Sequence, residues 1–189
     1  MQWHGLKLPV IFLAFVCGLV LAFGGQWAYQ KYNYQQPLNK MLAENNLVDE
    51  YMIEESANQT VVKVKLSKNA NNLMTAYQEI NYLTNKLMGK TPYRIELVSA
   101  PDASLEQAFD ECQFVIYQAQ IAANFPEVAS LVTAAASRQG ASGKVFVDEN
   151  FIYIQLTKPD GHFLHKVIPR QIPAQVVIWQ GGAGIVKRN

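Results

Sequence analysis

"KVFVDENFIYIQLTKPDGHFLHKVIPR", residues 144–170, decides the fold class. Three β-rich runs, Lys144–Val147, Phe151–Thr157 and His162–Ile168, are separated by Asp148-Glu149-Asn150 and Lys158-Pro159-Asp160-Gly161. Both separators are turn chemistry, so the stretch reads as an antiparallel meander. Along the middle run, Phe151, Tyr153 and Gln155 point one way and Ile152, Ile154 and Leu156 the other. Both faces have apolar character, so both need cover. Helices should take one; the chain's tail, a second subunit or a partner should take the other. Phe151 and Tyr153 are therefore candidate interaction residues.

Upstream lies helix. Leu105, Phe109, Cys112, Ile116, Ala119 and Ala123 recur at steps of three and four, an apolar seam running from a capping box at "SLEQ", with Ser104 as cap and Gln107 reaching back. Pro126 suits the first turn of a second helix, which carries Val128, Leu131, Val132 and Ala135 and stops at Gly140. Before this block, Val48–Glu55 and Val62–Leu66 read as paired strands, with a turn at Ser56–Gln59. "NANNLMTAYQEINYLTNKLMG" reads as a helix capped by Asn69 and ended by Gly89, and "YRIELV" as a third strand. The expected order is ββαβ-ααβββ: an α+β domain with one antiparallel-dominated sheet and helices packed on one face.

The N-terminal stretch is different. No charged side chain occurs from Leu8 to Gln30, and its densest part, Leu8–Gly25, would span about 27 Å as a helix, close to a hydrocarbon core of about 30 Å. Trp3 precedes it, and Trp27, Tyr29 and Tyr32 follow, as expected of aromatics in the two headgroup zones. This pattern predicts a retained single-pass anchor through residues 8–30. A secretory signal cut near Ala22-Phe23-Gly24, releasing an exported soluble protein, is the rival reading. Lys7, Lys31 and Lys40 discriminate orientation weakly; an extracytoplasmic domain is the favoured arrangement, with the cytoplasmic side as the alternative.

The expected organisation is residues 1–34 as anchor and aromatic flank, 35–47 as juxtamembrane stem, 48–173 as the α+β domain, and 174–189 as an edge strand ("QVVIWQ") and tail. Without the first three dozen of the 189 residues the chain is one ordinary domain. With 16 basic and 15 acidic residues and a formal net charge of +1, it offers no general electrostatic reason to bind nucleic acid.

No catalytic, cofactor or metal constellation emerges. His162 and His165 form HxxH, but on a strand residues three apart face opposite ways. Cys112 sits in the apolar seam beside Asp110 and Glu111, which disfavour a thiolate. Lys63, Lys65 and Arg94 make the most distinctive surface group; with Phe151 and Tyr153 they form the expected interaction surface. The functional expectation is a membrane-anchored, non-catalytic interaction or assembly domain, paired with itself or with a membrane protein. The alternative is an anchored enzyme or small-ligand sensor built from distant residues: His165, Arg94, Arg170 and a carboxylate such as Asp110 or Glu111.

Overall fold

The structure, a computed structural model, describes residues 8–30, 35–55 and 59–170, with side chains for 11–25, 35–55 and 59–170. Trp3, Tyr32, residues 56–58 of the expected turn and the expected edge strand at 175–180 lie outside the described residues, as do the side chains of Trp27 and Tyr29.

Helix α1 has a helical backbone over Leu8–Gln30, 23 residues. Its described side chains, residues 11–25, are uncharged and exposed on all sides. Those fifteen residues alone make about 22 Å of helix. Among the described residues no helix is long and apolar enough to cross a membrane.

The rest is mixed α+β, in two three-stranded sheets rather than the expected one. Helix α2 (Gln36–Glu44) precedes β1 (Val48–Glu55), β2 (Thr60–Leu66), α3 (Leu73–Met88) and β3 (Tyr93–Leu97). β1 pairs antiparallel with β2, and β3 pairs parallel with β2 after the α3 crossover. Then come α4 (Ala103–Asp110), α5 (Gln113–Ala122), α6 (Phe125–Arg138) and the meander β4 (Ser142–Val147), β5 (Phe151–Thr157) and β6 (Phe163–Pro169).

The sheets separate just after β3. Val98 N–H donates to Val64 O at 2.8 Å, the last bond to β2. Two residues on, Ala100 exchanges both backbone bonds with Phe163 at 3.0 and 3.1 Å. The strand thus leaves the first sheet and touches the edge of the second, and three helices intervene before β4.

Local chemistry sets the helix ends. Asn72, not Asn69, caps α3 by accepting from Thr75 N–H at 3.1 Å. Asp102, not Ser104, caps α4, accepting from Leu105 N–H at 2.9 Å, while the Ser104 hydroxyl donates to it. A carboxylate suits a helix N-terminus better than a hydroxyl. The expected long helix from Ser104 breaks at Glu111-Cys112 into α4 and α5, so the C-terminal half has three helices. Ala123, left-handed at φ 54°, turns the chain from α5 into α6.

Two cores result. Leu105, Ile116, Val128 and Val132 of the helices pack on Ile152, Ile154 and Leu156. Leu38, Leu42, Leu73, Ile80 and Met88 pack on Val62, Val64 and also on Tyr153 from the other sheet. The meander therefore lies between α4–α6 on one face and α3 with the first sheet on the other. Helices on one face only was the expectation; both faces are covered because β5 is apolar on both. Gly143 permits the close approach of β4 to α6: a Cβ there would lie 2.9 Å from Ala136 Cβ and Val132 O.

Candidate functional site

In the surface expected from the sequence, the charged residues are ion-paired and the aromatic ones are packed inside. Lys63 pairs with Glu54 at 2.6 Å, Lys65 with Glu50 at 2.6 Å and Asp49 at 3.1 Å, and Arg94 with Glu96 at 2.5 Å. The hydrogen bonds that the two ammonium groups donate to Glu54 and Glu50 hold them above their ordinary pKa. Tyr153 is fully buried and Phe151 half-buried; both rings meet Tyr77 of α3 edge-on, at centroid distances of 5.7 and 5.5 Å. Around Phe151 and Tyr153 the second face of the meander is covered from within the chain.

That same face carries three successive rows across β4, β5 and β6, fixed by the register. Phe146, Tyr153 and Val167 form an apolar row under α3. Lys144, Gln155 and His165 form a polar row. Ser142, Thr157 and Phe163 form the third, beyond the start of α3. Where α3 stops covering the sheet, a cleft of about 840 Å³ opens. One wall is the end of β2 and the loop to α3, Lys65–Asn71; the other is the β5–β6 turn.

Gln155 and His165 divide the polar row between them. Gln155 is satisfied: its Oε1 accepts from Leu73 N–H and its Nε2 donates to Ala70 O, both at 3.2 Å. His165 is not. It is 7% exposed, lines the cleft, and neither ring nitrogen has a hydrogen-bond partner among the described residues. Burial pushes its pKa down to about 4, so the ring is neutral near pH 7, with one nitrogen a donor and the other an acceptor. Its backbone N–H is held by Ser99 Oγ at 2.9 Å, and its ring lies 5.0 Å from that of Phe163.

At the turn end, Lys158 Nζ lies 2.5 Å from both Asp102 Oδ2 and Ser104 Oγ. Lys158, then the Leu105 N–H, hold the Asp102 carboxyl well below the usual carboxylate range. Asp160 and His162 lie close enough to Asp102 for the three to resemble a metal cluster. The Lys158 ammonium already serves as the cation there, and Asp102 is committed to the α4 cap. His165 takes no part in that group, so the HxxH residues are not brought together.

The sensor residues expected to converge do not. Arg94 pairs with Glu96, and Arg170 lies 4.8 Å over the Phe125 ring. Glu111 pairs with Arg138, and Asp110 accepts from Gln113. Cys112 is buried, and burial followed by the Glu111 charge raises its pKa.

The exposed apolar surface lies elsewhere, on α5. Phe114 is 88% exposed, Ile121 82% and Tyr117 59%, at helical spacings of three and four on one face. The opposite face, Ile116 and Ala119, is core. No charged residue occurs from Gln113 to Pro126. Reading the seam finds the buried face from Leu105 to Ala119, whereas Ala123 at its end is exposed; the signal for the outer face was the absence of charge in a helix whose second face should be polar. The cleft had a signal too: Lys144, Gln155 and His165 are polar at the same level of three strands whose neighbouring level, Phe146, Tyr153 and Val167, is apolar.

No protein-family model matches the sequence, and no curated protein or solved structure matches it either. By its fold the chain is a mixed α+β protein of two small sheets and helices.

Proposed function

We propose that this protein is a single-pass, membrane-tethered assembly module that pairs with a second copy of itself through the outer face of α5. The observation that carries the reading is the exposed, charge-free stripe of Phe114, Tyr117 and Ile121. Exposed apolar patches of this kind mark contact surfaces. A neutral face can meet its own copy about a two-fold axis with no like-charge repulsion.

The tether reading rests on Leu8–Gln30. The stretch carries no charged residue, and its backbone is helical over all 23 positions. Phe12, Leu13, Phe15, Leu21 and Phe23 are all more than 60% exposed. A helix whose described side chains, residues 11–25, are uncharged and exposed on every side suits an apolar surround. Confinement to one membrane would raise the effective concentration of two copies, so a modest patch suffices.

Sizing the detergent-solubilised full chain tests this. Wild type should run as a dimer, and the Phe114→Glu/Ile121→Glu double variant as a monomer with unchanged thermal stability. A monomeric wild type, or a dimer indifferent to the double variant, would refute the α5 reading.

A further inference from the structure

We infer that the cleft between the two sheets is a binding site for a small polyanion carrying carboxylate or phosphate groups, held by Lys68 and Lys144 above the His165 ring. The site is separate from the α5 face and does not depend on it.

The charge distribution supports an anion. Lys65, Lys68, Lys144 and Lys158 line the cleft, against one lining carboxylate, Asp49. Lys65 is neutralised by Asp49 and Glu50, and Lys158 by Asp102. Lys68 and Lys144 have no carboxylate within ion-pair distance among the described residues; Lys144 Nζ reaches only the Asn71 carbonyl, at 3.4 Å. Two lysines without an ion pair among the described residues thus line one concave surface in a chain whose net charge is only +1. Ammonium groups act on phosphate or carboxylate as point charges, and a cleft strengthens their field.

The polar lining sets the rest of the ligand. Buried polar atoms are ordinarily hydrogen-bonded, and a ring with two unpartnered nitrogens is an exception that calls for an explanation. His165 is the buried lining side chain with unmet hydrogen-bond capacity on both sides. Both nitrogens are closed off from solvent as the cleft stands, so a ligand seated above the ring would meet them once the lining side chains shift. Asn69 and Thr157 offer further hydrogen bonds around it, and the half-buried Phe163 ring offers an apolar wall. A ligand with two or more anionic groups and a hydroxyl fits this lining. A fully apolar one leaves His165 unmet, and a cation faces the two lysines.

The full chain in detergent can be titrated with citrate and, separately, with inorganic pyrophosphate while the His165 ring is followed by NMR. The chain has three histidines, so the signal is assigned from single variants. At least one anion should move the His165 ring resonances saturably, and added salt should weaken the effect. Lys68→Glu/Lys144→Glu should weaken binding at least tenfold. Lys166→Glu, on the opposite face of the meander over Phe109, should leave it unchanged. Citrate alone would identify a carboxylate ligand and pyrophosphate alone a phosphate ligand. No saturable shift with either anion would overturn the proposal. So would a shift that survives in the double lysine variant, which would mean an adventitious ion only.

Discussion

The side-chain amide of Gln155 and the backbone of Leu73 join the two halves of the molecule. Leu73 N–H, at the first turn of α3, donates to Gln155 Oε1 at 3.2 Å, and the same amide returns a bond to Ala70 O at 3.2 Å. One side chain on the C-terminal sheet thus satisfies two backbone groups at the start of a helix from the N-terminal half.

Replacing Gln155 by Leu should leave a buried N–H and a carbonyl without partners. The expected loss is about 1–3 kcal/mol of unfolding free energy, read by denaturant titration. Loss of less than a few tenths would mean that the bond does not hold the halves together.

Tyr153 stands behind it in the same face. Its hydroxyl donates to Asp148 Oδ2 at 2.6 Å, and Asp148 also accepts from Gln78 and from the N–H groups of Asn150 and Phe151. Burial, then the bond to Asp148, raise the Tyr153 pKa. Tyr153→Phe should cost about 1–2 kcal/mol, because Asp148 keeps its other donors. The ring itself is fully buried, so Tyr153→Ala should cost more, about 3–5 kcal/mol.

Gly143→Ala tests the approach of β4 to α6. The added Cβ would meet a backbone oxygen and another Cβ at 2.9 Å, neither the end of a flexible side chain. About 1–3 kcal/mol of destabilisation is expected, seen as a lower thermal midpoint.

Two groups should make stability fall on acidification, in separate windows. His165 has a folded pKa of about 4 against an ordinary value of about 6.5, so folding favours its neutral form. Its contribution is complete above about pH 6.5 and is lost between there and about pH 4, on the order of 3 kcal/mol. Asp102 is depressed by Lys158, so its contribution is present above its unfolded pKa of about 3.9 and is lost as pH falls below that. Thermal midpoints measured against pH should lose the upper slope in His165→Phe and the lower slope in Asp102→Asn. An upper slope that persists without the imidazole would contradict the assignment.

Much of the fold is legible in the sequence, and the reasons for the rest are physical. Alternation of Val62, Val64 and Leu66 with Lys63 and Lys65 in β2, and the three-and-four spacing of Leu73, Tyr77 and Ile80 in α3, identify those elements, because burial of one face imposes those periods. Periodicity says which way a side chain points, not what comes to cover it. Hence the division into two sheets, decided where Val98 leaves Val64 and Ala100 meets Phe163, does not show in any local pattern. Tyr153 looked available for a partner because α3, which covers it, lies about seventy residues earlier in the chain. Lys63 and Lys65 looked free because Glu54, Glu50 and Asp49 reach them only once β1 pairs with β2. The outer face of α5 and the Lys144–Gln155–His165 row needed a different question: where polarity is missing from a wet face, and where it intrudes on a dry one.

Site-directed disulfide cross-linking in native membranes tests the proposed pairing most directly, using the full chain with the exposed Cys17 replaced by Ala. Tyr117→Cys places a thiol at the centre of the α5 stripe, and Tyr82→Cys places one on α3 at similar exposure. The account predicts a covalent dimer from Cys at 117, abolished by Phe114→Glu, and none from Cys at 82. Equal cross-linking at both positions, or none at 117, would contradict it.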